Sequence, residues 1–255
     1  MGRAKEIVLK VIPAKIATPF MKAYHYSGKV VNNSQLHFGV FLDDRLHGVM
    51  SYGPSLDKRK IIGLVKNTGW NEFLELNRMA FDEYLPRNSE SRAISMSVKL
   101  IKKYAPHIKW IASFADACSC GDGAIYRASN FVLTGIKKNG AIAELPDGSR
   151  IHKMTLSSVP NAPRKELGGL SFFDVTGGTY SFKKYLDYTG AKPLPGYQLR
   201  YIYFIDKKKR LDLTVPEIPF SMIDEIGAGM YKGEKVSRTE RGRQAARDAA
   251  CASLS

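Results

Sequence analysis

Cysteine is scarce in this sequence, and its few occurrences are poorly spaced for cross-linking. Only Cys118, Cys120 and Cys251 are present. The first two lie too close along the chain for an easy disulfide, and no second pair of Cys or His residues stands at zinc-finger spacing from them. These absences argue against a disulfide scaffold and against a structural zinc site. We therefore interpret Cys118 and Cys120 as small residues of a loop.

Long apolar runs are also missing. No segment approaches the roughly 20 apolar residues that a membrane-spanning helix needs. The first residues, MGRAKEIVLKVIP, lack the apolar region and the cleavage site of a secretion signal. Glu6 stands where a myristoylation signal has Ser or Thr. We therefore expect a cytoplasmic protein without a lipid anchor.

Acidic side chains are in the minority, since 24 Asp and Glu face 39 Lys and Arg, for a net charge of +15. The excess is spread along the chain: residues 1–130 have 19 basic and 11 acidic side chains, and the remainder has 20 and 13. A surplus of this size favours an anionic partner, and nucleic acid is favoured over a membrane because no amphipathic basic helix dominates. A merely soluble basic surface is the alternative on charge alone.

The spacing of apolar residues predicts an α/β protein with a mixed sheet. Ser89 is a suitable N-terminal cap for a long helix. Hairpin turns at Asn139-Gly140 and Asp147-Gly148 predict a three-stranded meander over residues 131–156. The predicted strands are 6–12, 36–41, 46–52, 73–81, 109–115, 131–136 and 197–205, and the predicted helices are 16–24, 89–105, 123–129 and 181–188.

The domain organisation is predicted from a break in this pattern. Residues 157–169 contain two prolines and two glycines, and we place a boundary there. Residues 1–156 are predicted to form the core and 157–233 a C-terminal α/β extension packed on it. The charged, Ala-rich residues 234–255 are predicted to be a basic tail, either a frayed helix or disordered.

The segment SFADACSCGDGAIYR, residues 113–127, is the best candidate for a catalytic site. It reads as a strand, a glycine-rich loop and a short helix, which is where open α/β sheets usually place a site. Asp116 follows the strand and is a candidate base, ligand or acceptor. We interpret Asp122 as a helix cap. Tyr126 lies one turn further on and can donate or accept a proton, with a core tyrosine as the alternative.

Six long blocks of the sequence carry a family resemblance. They are AYHYSGKVVNNS (23–34), GVMSYGPSLD (48–57), LNRMAFDEYLPRNSESRAIS (76–95), SFADACSCGDGAIYRASNFVLTG (113–135), KPLPGYQLRYIYF (192–204) and IPFSMIDEIGAGMYKG (218–233). These blocks resemble the phage Mom family of DNA-modification proteins. The resemblance covers nearly the whole chain from about Tyr24 to Gly233, which is far more specific than a short motif.

This resemblance implies a fold like that of GNAT acyltransferases, with a mixed central sheet flanked by helices. It implies an enzyme that adds an acetamido (methylcarbamoyl) group to N6 of adenine in DNA, which protects phage DNA from restriction in the host cytoplasm. The residues that it carries over as catalytic are His25, Tyr26, Arg78, Asp116 and Tyr126. Arg78 would be either the ion-pair partner of Asp116 or a substrate clamp.

Two cofactors are implied by the same resemblance. Acetyl-CoA would place its pyrophosphate at the N-terminus of the helix that begins at Ser89, and Arg78, Ser91 and Tyr126 are the implied cofactor-binding residues. The sequence departs from the usual phosphate loop, because Glu90 and Arg92 stand where small residues would let the backbone approach. Iron is also associated with the family. The donors that iron would accept are those of His25, Tyr26 and Asp116.

The implied partner is double-stranded DNA, in which base pairing hides adenine N6, so the enzyme must flip the base or wait for an open strand. Two basic clusters are candidates for phosphate contacts, one at 238–247 and one formed by Lys207, Lys208, Lys209 and Arg210. Two alternatives stay open: a conventional GNAT N-acetyltransferase of a protein or small-molecule amine, and a DNA-binding module without catalysis. The sequence leaves the oligomeric state open, with a homodimer among the alternatives.

Overall fold

The computed structural model describes residues 2–231, 233–236 and 240, and its helices and strands follow the apolar patterns of the sequence. The strands are β1 (Val8–Val11), β2 (Leu36–Leu42), β3 (Arg45–Gly53), β4 (Phe73–Phe81), β5 (Trp110–Ala117), β6 (Val132–Lys138), β7 (Ile142–Glu144), β8 (Arg150–His152), β9 (Lys192–Pro193), β10 (Tyr197–Phe204), β11 (Met230–Tyr231) and β12 (Glu234–Lys235). The α-helices are α1 (Ala14–Tyr24), α2 (Lys58–Ile62), α3 (Ser89–Tyr104), α4 (Ala124–Ala128), α5 (Lys153–Ser158), α6 (Phe172–Thr176), α7 (Phe182–Thr189) and α8 (Ser221–Glu225). Short 3-10 helices cover Arg3–Glu6, Lys165–Leu167 and Lys207–Asp212.

The chain divides into two compact units. The first contains residues up to 136 and the described residues from 199 onward, and the second contains residues 137–198. This division differs from the boundary drawn at 156/157 from the sequence. The Pro/Gly-rich break lies inside the second unit, because apolar residues on both sides of it, including Leu156 and Phe172, share one hydrophobic core. In the sequence, the second unit therefore falls between two segments of the first.

A seven-stranded sheet forms the centre of the first unit, in the order β1-β2-β3-β4-β5-β10-β6. The first four strands pair antiparallel, and β4 pairs parallel with β5. The pairing of β4 with β5 covers only residues 73–75 and 110–112, although β4 runs on to Phe81 and β5 to Ala117. Backbone pairing between the two strands therefore stops well before their C-terminal ends, and we refer to the region between these unpaired ends as the cleft.

Helices cover this sheet through the apolar faces that the sequence predicts. α1 packs on the sheet through Ala17 and Met21, which share a cluster with Val49 and Ala80. The buried residues of α3 keep helical spacing and are Ser89, Ala93, Ile94, Ser97, Val98 and Ile101. The predicted mixed α/β sheet flanked by helices is confirmed. No helix within 2–231, 233–236 and 240 is both long and apolar enough to span a membrane.

The predicted meander over residues 131–156 is wrong. β6 belongs to the seven-stranded sheet, whereas β7 pairs with β8 and β9 in a separate three-stranded sheet. The side chain of Asn139 explains the break between them. Its oxygen accepts from the amides of Ala141 and Ile142, and its nitrogen donates to the carbonyl of Leu194 at 2.8 Å, which turns the chain toward β9.

Candidate active site

The cleft between β4 and β5 brings together residues that are far apart in the sequence. Tyr26, which follows α1, donates a hydrogen bond from its hydroxyl to Oδ2 of Asp116 on β5 at 3.3 Å. Arg78 on β4 interacts electrostatically with His25, Tyr26 and Tyr126. The five residues that the resemblance carries over as catalytic therefore form one group.

The loop after β5 fixes Asp116 in place. Its Oδ1 accepts from the amide of Cys118 at 3.0 Å, and its carbonyl oxygen accepts from the amides of Cys120 at 3.0 Å and Gly121 at 3.1 Å. The tight turn holds one side of the carboxylate against the loop backbone and directs Oδ2 toward Tyr26. Asp116 is therefore oriented before any substrate arrives, which is what a proton acceptor in catalysis requires.

Asp122 has a structural position, but it is not the helix cap predicted from the sequence. The residue before α4 is Gly123, with φ of +82°, and a Cβ there would lie 2.4 Å from the Tyr201 ring. The Asp122 side chain is 1% exposed and forms an ion pair with Arg127 at 3.0 Å. It also accepts from the Met230 amide at 3.2 Å. Its role is to tie the loop to α4 and to β11.

Two tyrosines supply phenol groups to the cleft. Desolvation of its hydroxyl and the negative charge of Asp116 raise the pKa of Tyr26, although half of its side chain is exposed. Burial raises the pKa of Tyr126 to about 12, opposed by a hydrogen bond with Ser113. The Tyr126 ring also packs against Tyr201 at 5.2 Å. Both phenols stay protonated at neutral pH, so they act as hydrogen-bond donors.

His25 ends α1, where its amide donates to the carbonyl of Met21 at 3.0 Å. Burial, followed by the nearby charge of Arg78, lowers the pKa of His25 to about 4, so the ring is neutral at pH 7. Nδ1 accepts from the amide of Ser27 at 3.2 Å and lies 2.8 Å from the Ser27 hydroxyl. This network assigns the proton to Nε2.

The implied iron ligands do not fit an iron site. A histidine that binds a metal normally donates its other ring N–H to an acceptor. In His25 that other nitrogen accepts a backbone N–H, so Nε2 holds the proton and has no lone pair for a metal. Within the described part of the chain, no three His, Cys, Asp or Glu side chains come together as a metal site.

A β-bulge in β4 places Glu75 in the same group, which the sequence analysis did not predict. Ser51 of β3 pairs with Arg78, but the next residue, Tyr52, pairs with Leu76, so Asn77 is an extra residue. Without the bulge, residues 75 and 78 would face opposite sides of the sheet. The bulge turns both to one face, where burial raises the pKa of Glu75 and Arg78 opposes that shift.

Cys120 is a second residue whose position was not anticipated. Burial, followed by the charge of Asp116, raises the pKa of its thiol. It also interacts electrostatically with Tyr26 and Tyr126, so it faces the cleft rather than only filling a loop. A signal for Glu75 was present in FLELNRMAF, where a carboxylate interrupts an apolar strand. None was present for Cys120, because loop geometry decides where it lies.

Several contacts in the first turn of α3 disfavour a pyrophosphate. The amide of Ser89 donates to the carbonyl of Pro86 at 3.1 Å, so it is not available to a phosphate oxygen. The hydroxyl of Ser91 donates to the carbonyl of Asn88 at 3.2 Å. Glu90 adds negative charge to this turn, and Arg92 extends to the carbonyl of Lys5 at 3.2 Å. Ser91 thus lies at the expected position, but the engaged Ser89 amide and the negative charge of Glu90 both disfavour a pyrophosphate at this turn.

The basic cluster at 207–210 lies far from the cleft. It follows β10, and the Ile205 amide donates to the carbonyl of Lys109, the residue just before β5. Asp116 stands seven residues further along β5, or about 23 Å at the usual rise of a strand. The cluster at 238–247 lies outside the described residues, apart from Glu240, as does most of the tail at 234–255.

Half of the cluster at 207–210 is engaged in structural contacts. Lys209 Nζ donates to the carbonyl of Asn67 at 2.6 Å and pairs with Asp212 at 3.2 Å. Arg210 forms a two-bond ion pair with Glu217. Lys208 is exposed, and Lys207 Nζ lies 5.0 Å from the centre of the Tyr203 ring. Lys207 and Lys208 are therefore the members that can reach a phosphate backbone.

Known proteins resemble this chain in sequence. The chain belongs to the Mom protein family, whose family model matches residues 6–222. It is 38% identical over 156 residues to the methylcarbamoylase Mom of Escherichia phage Mu. That match covers 61% of this chain and 64% of the relative, so it spans less than two thirds of the relative's length.

Similar solved structures include several acetyltransferases. An IAA acetyltransferase from Bacillus cereus has a TM-score of 0.42 at 10% identity, with 78% of this chain and 99% of that chain covered. A spermidine/spermine N-acetyltransferase from Vibrio cholerae has a TM-score of 0.42 at 8% identity, with 82% and 99% covered. A Bacillus subtilis acetyltransferase in complex with CoA has a TM-score of 0.39 at 10% identity, with 78% and 97% covered.

Proposed function

We propose that this protein is a DNA-modifying transferase that adds an acetamido (methylcarbamoyl) group to N6 of adenine and thereby protects phage DNA from host restriction. Membership of the Mom family and the name of the phage Mu relative support the reaction. The net charge of +15 supports DNA as the partner. The observation that carries the proposal is the convergence of Tyr26, Arg78, Asp116 and Tyr126 in the cleft between β4 and β5.

Asp116 is the general base in this proposal. The N6 amine of adenine is a weak nucleophile because its lone pair is delocalised into the ring, and it must lose a proton when it forms a bond to carbon. A carboxylate held within hydrogen-bond reach of that proton can accept it. The loop amide of Cys118 anchors Oδ1 of Asp116, and Tyr26 occupies Oδ2 at 3.3 Å until the amine takes its place.

Arg78 and the two phenols are the groups of the site that stabilise negative charge in this proposal. Tyr26 and Tyr126 are neutral donors at pH 7, and Arg78 adds a fixed positive charge beside them. Donors that are aligned before reaction stabilise negative charge on an oxygen of the transferred group without reorganising. Ser113 fixes the hydroxyl of Tyr126 by a hydrogen bond.

The product constrains the chemistry further. An ordinary acyl transfer would leave a carbonyl on N6, whereas the acetamido product has a methylene on N6 and the amide beyond it. Acetyl-CoA is the cofactor that the family resemblance implies. The Ser89 amide and the Ser91 hydroxyl of the first turn of α3 already have acceptors within the chain, and the proposed roles of Asp116, Arg78 and the two phenols do not depend on acetyl-CoA. The same turn opposes the alternative of a conventional N-acetyltransferase.

Mass spectrometry of nucleosides tests the proposal. DNA from cells that express the protein should contain deoxyadenosine enlarged by one acetamido group, and DNA from cells that express Asp116→Asn should contain no such nucleoside. Asp44→Asn is the matched control, because Asp44 is an exposed turn residue with φ of +59°, a conformation that asparagine tolerates. Unmodified DNA at normal protein yield would refute the function, and full modification by Asp116→Asn would refute the role of the carboxylate.

A further inference from the structure

A pocket of about 150 Å³ lies beneath α1, next to the cleft. α1 covers it through residues that include Met21, and the loop at 30–34 forms one side. Its floor is a row of three side chains at the same level on neighbouring strands: His37 of β2 pairs with Ser51 of β3, which pairs with Arg78 of β4. Arg78 also belongs to the cleft, so the pocket and the cleft meet at this residue.

Arg78, which lines the floor of the pocket, has an unused hydrogen-bond donor. Arg78 Nη1 donates to the carbonyl of Asn77 at 3.0 Å, but its Nε is buried and has no partner among the described residues. Nδ1 of His37 lies 2.8 Å from the hydroxyl of Ser51, so those two groups satisfy each other. A buried donor without a partner costs free energy, and a ligand that brings an acceptor atom removes that cost.

The loop that walls the pocket is fixed in advance. Gly53 allows it to lie close to β3, because a Cβ at that position would come within 2.5 Å of the carbonyl of Asn33. The Asn33 side chain donates to the carbonyl of Pro54 at 2.8 Å, and the hydroxyl of Ser34 donates to the side chain of Asn77 at 3.1 Å. A wall tied to the sheet at several points loses little entropy when a ligand enters.

The walls and the polar groups suit a flat heterocycle. Met21, Val30 and Val31 present apolar surface, while Asn32 and Arg78 present polar groups. A cavity of about 150 Å³ in another protein holds a benzene ring. The pocket therefore admits the six-membered ring of a purine, and the five-membered ring, which bears the sugar, stays at the opening.

We propose that this pocket receives the target adenine after it has been flipped out of the duplex, an inference that rests on the proposed function. Adenine has two ring nitrogens, N1 and N7, that flank N6 and accept hydrogen bonds, and asparagine commonly pairs with its N6/N7 edge. The Nε–H of Arg78 suits N1, and the amide of Asn32 suits N7. Guanine has an N–H at N1, which would face the Arg78 donor, so the pocket selects adenine.

A fluorescence experiment tests the pocket, and it needs no donor of the acetamido group. Duplexes that contain 2-aminopurine, with varied flanking bases, should become brighter when the wild-type protein extrudes that base. Val31→Trp fills the pocket from a half-buried loop position and should abolish the increase, with DNA affinity by anisotropy within about threefold of wild type. Val11→Trp is the matched control on an exposed position of β1 and should behave as wild type.

A second variant keeps the test decisive if Val31→Trp does not fold. Asn32 is exposed and tolerates substitution, and Asn32→Asp removes its amide donor, so the brightening and the modification level should fall about tenfold or more. Wild-type brightening in Asn32→Asp or in folded Val31→Trp would overturn the pocket assignment, as would an absence of brightening with the wild-type protein. The proposed function fails separately, if nucleoside mass spectrometry finds no modified adenine.

Discussion

Replacing Asp122 with asparagine should destabilise the first unit by about 3–5 kcal/mol, because it breaks a buried ion pair. The Asp122 side chain is 1% exposed, and each of its oxygens has its own donor. Arg127 donates to Oδ1 at 3.0 Å, and the Met230 amide donates to Oδ2 at 3.2 Å. An asparagine has only one side-chain oxygen, so its NH2 group must face one of these donors. Arg127 also loses its carboxylate partner in a largely buried position.

Urea denaturation measures this loss, and nucleoside mass spectrometry of the same variant separates stability from chemistry. Modification per folded molecule should be retained in Asp122→Asn, because Asp122 holds the loop and takes no part in proton transfer. Asp116→Asn should do the opposite and lose modification while its unfolding free energy stays within about 1 kcal/mol of wild type. An Asp122→Asn protein of wild-type stability that fails to modify DNA would refute the structural assignment.

Two further predictions concern pH and salt. His25 has a pKa of about 4 in the folded protein and an ordinary value of 6.5, so the unfolded state binds its proton more tightly. The free energy of unfolding should therefore have its full value above about pH 6.5 and fall by up to about 3 kcal/mol toward pH 4. Urea titrations across this range should lose that slope in His25→Asn, and an unchanged slope would exclude His25 as its source. Replacing Lys207 and Lys208 with Ala should make DNA affinity, measured by anisotropy, less sensitive to salt. The slope of log affinity against log salt concentration should become shallower by about 0.9 for each phosphate that the variant no longer neutralises. Lys209→Ala should instead lower the unfolding free energy, because Nζ holds a backbone carbonyl at 2.6 Å; an unchanged salt slope in the first variant would remove both lysines from the interface.

Local patterns in the sequence predict much of the first unit. The strand at 73–81 has the predicted bounds, and the helix that begins at Ser89 has the predicted apolar face. Both depend on periodicity and capping, which are properties of neighbouring residues. The return of β10 to the central sheet is different, because it depends on pairing across the inserted second unit. No periodicity within a short window reports which strand will be its neighbour.

The two aspartates of the glycine-rich loop illustrate the same limit at the site. Both are visible in SFADACSCGDGAIYR, and the sequence predicts different roles for Asp116 and Asp122. The predicted cap at Asp122 is wrong. The prediction considered only neighbouring residues, whereas the Asp122 side chain pairs with Arg127, a full turn into α4. The cap position itself needs the positive φ of Gly123 and its close approach to Tyr201. Such tertiary packing overrides the local preference of aspartate for a cap.

The bulge at Asn77 has the widest consequence for the proposed chemistry. In a regular strand, Arg78 and Glu75 would face opposite sides of the sheet, and only one of them could reach the group around Asp116. With the bulge, Arg78 stands level with Ser51 at the floor of the pocket and near Glu75 and Tyr126 in the cleft. One extra residue in β4 therefore allows a single guanidinium to orient the base through Nε and to supply positive charge where N6 reacts.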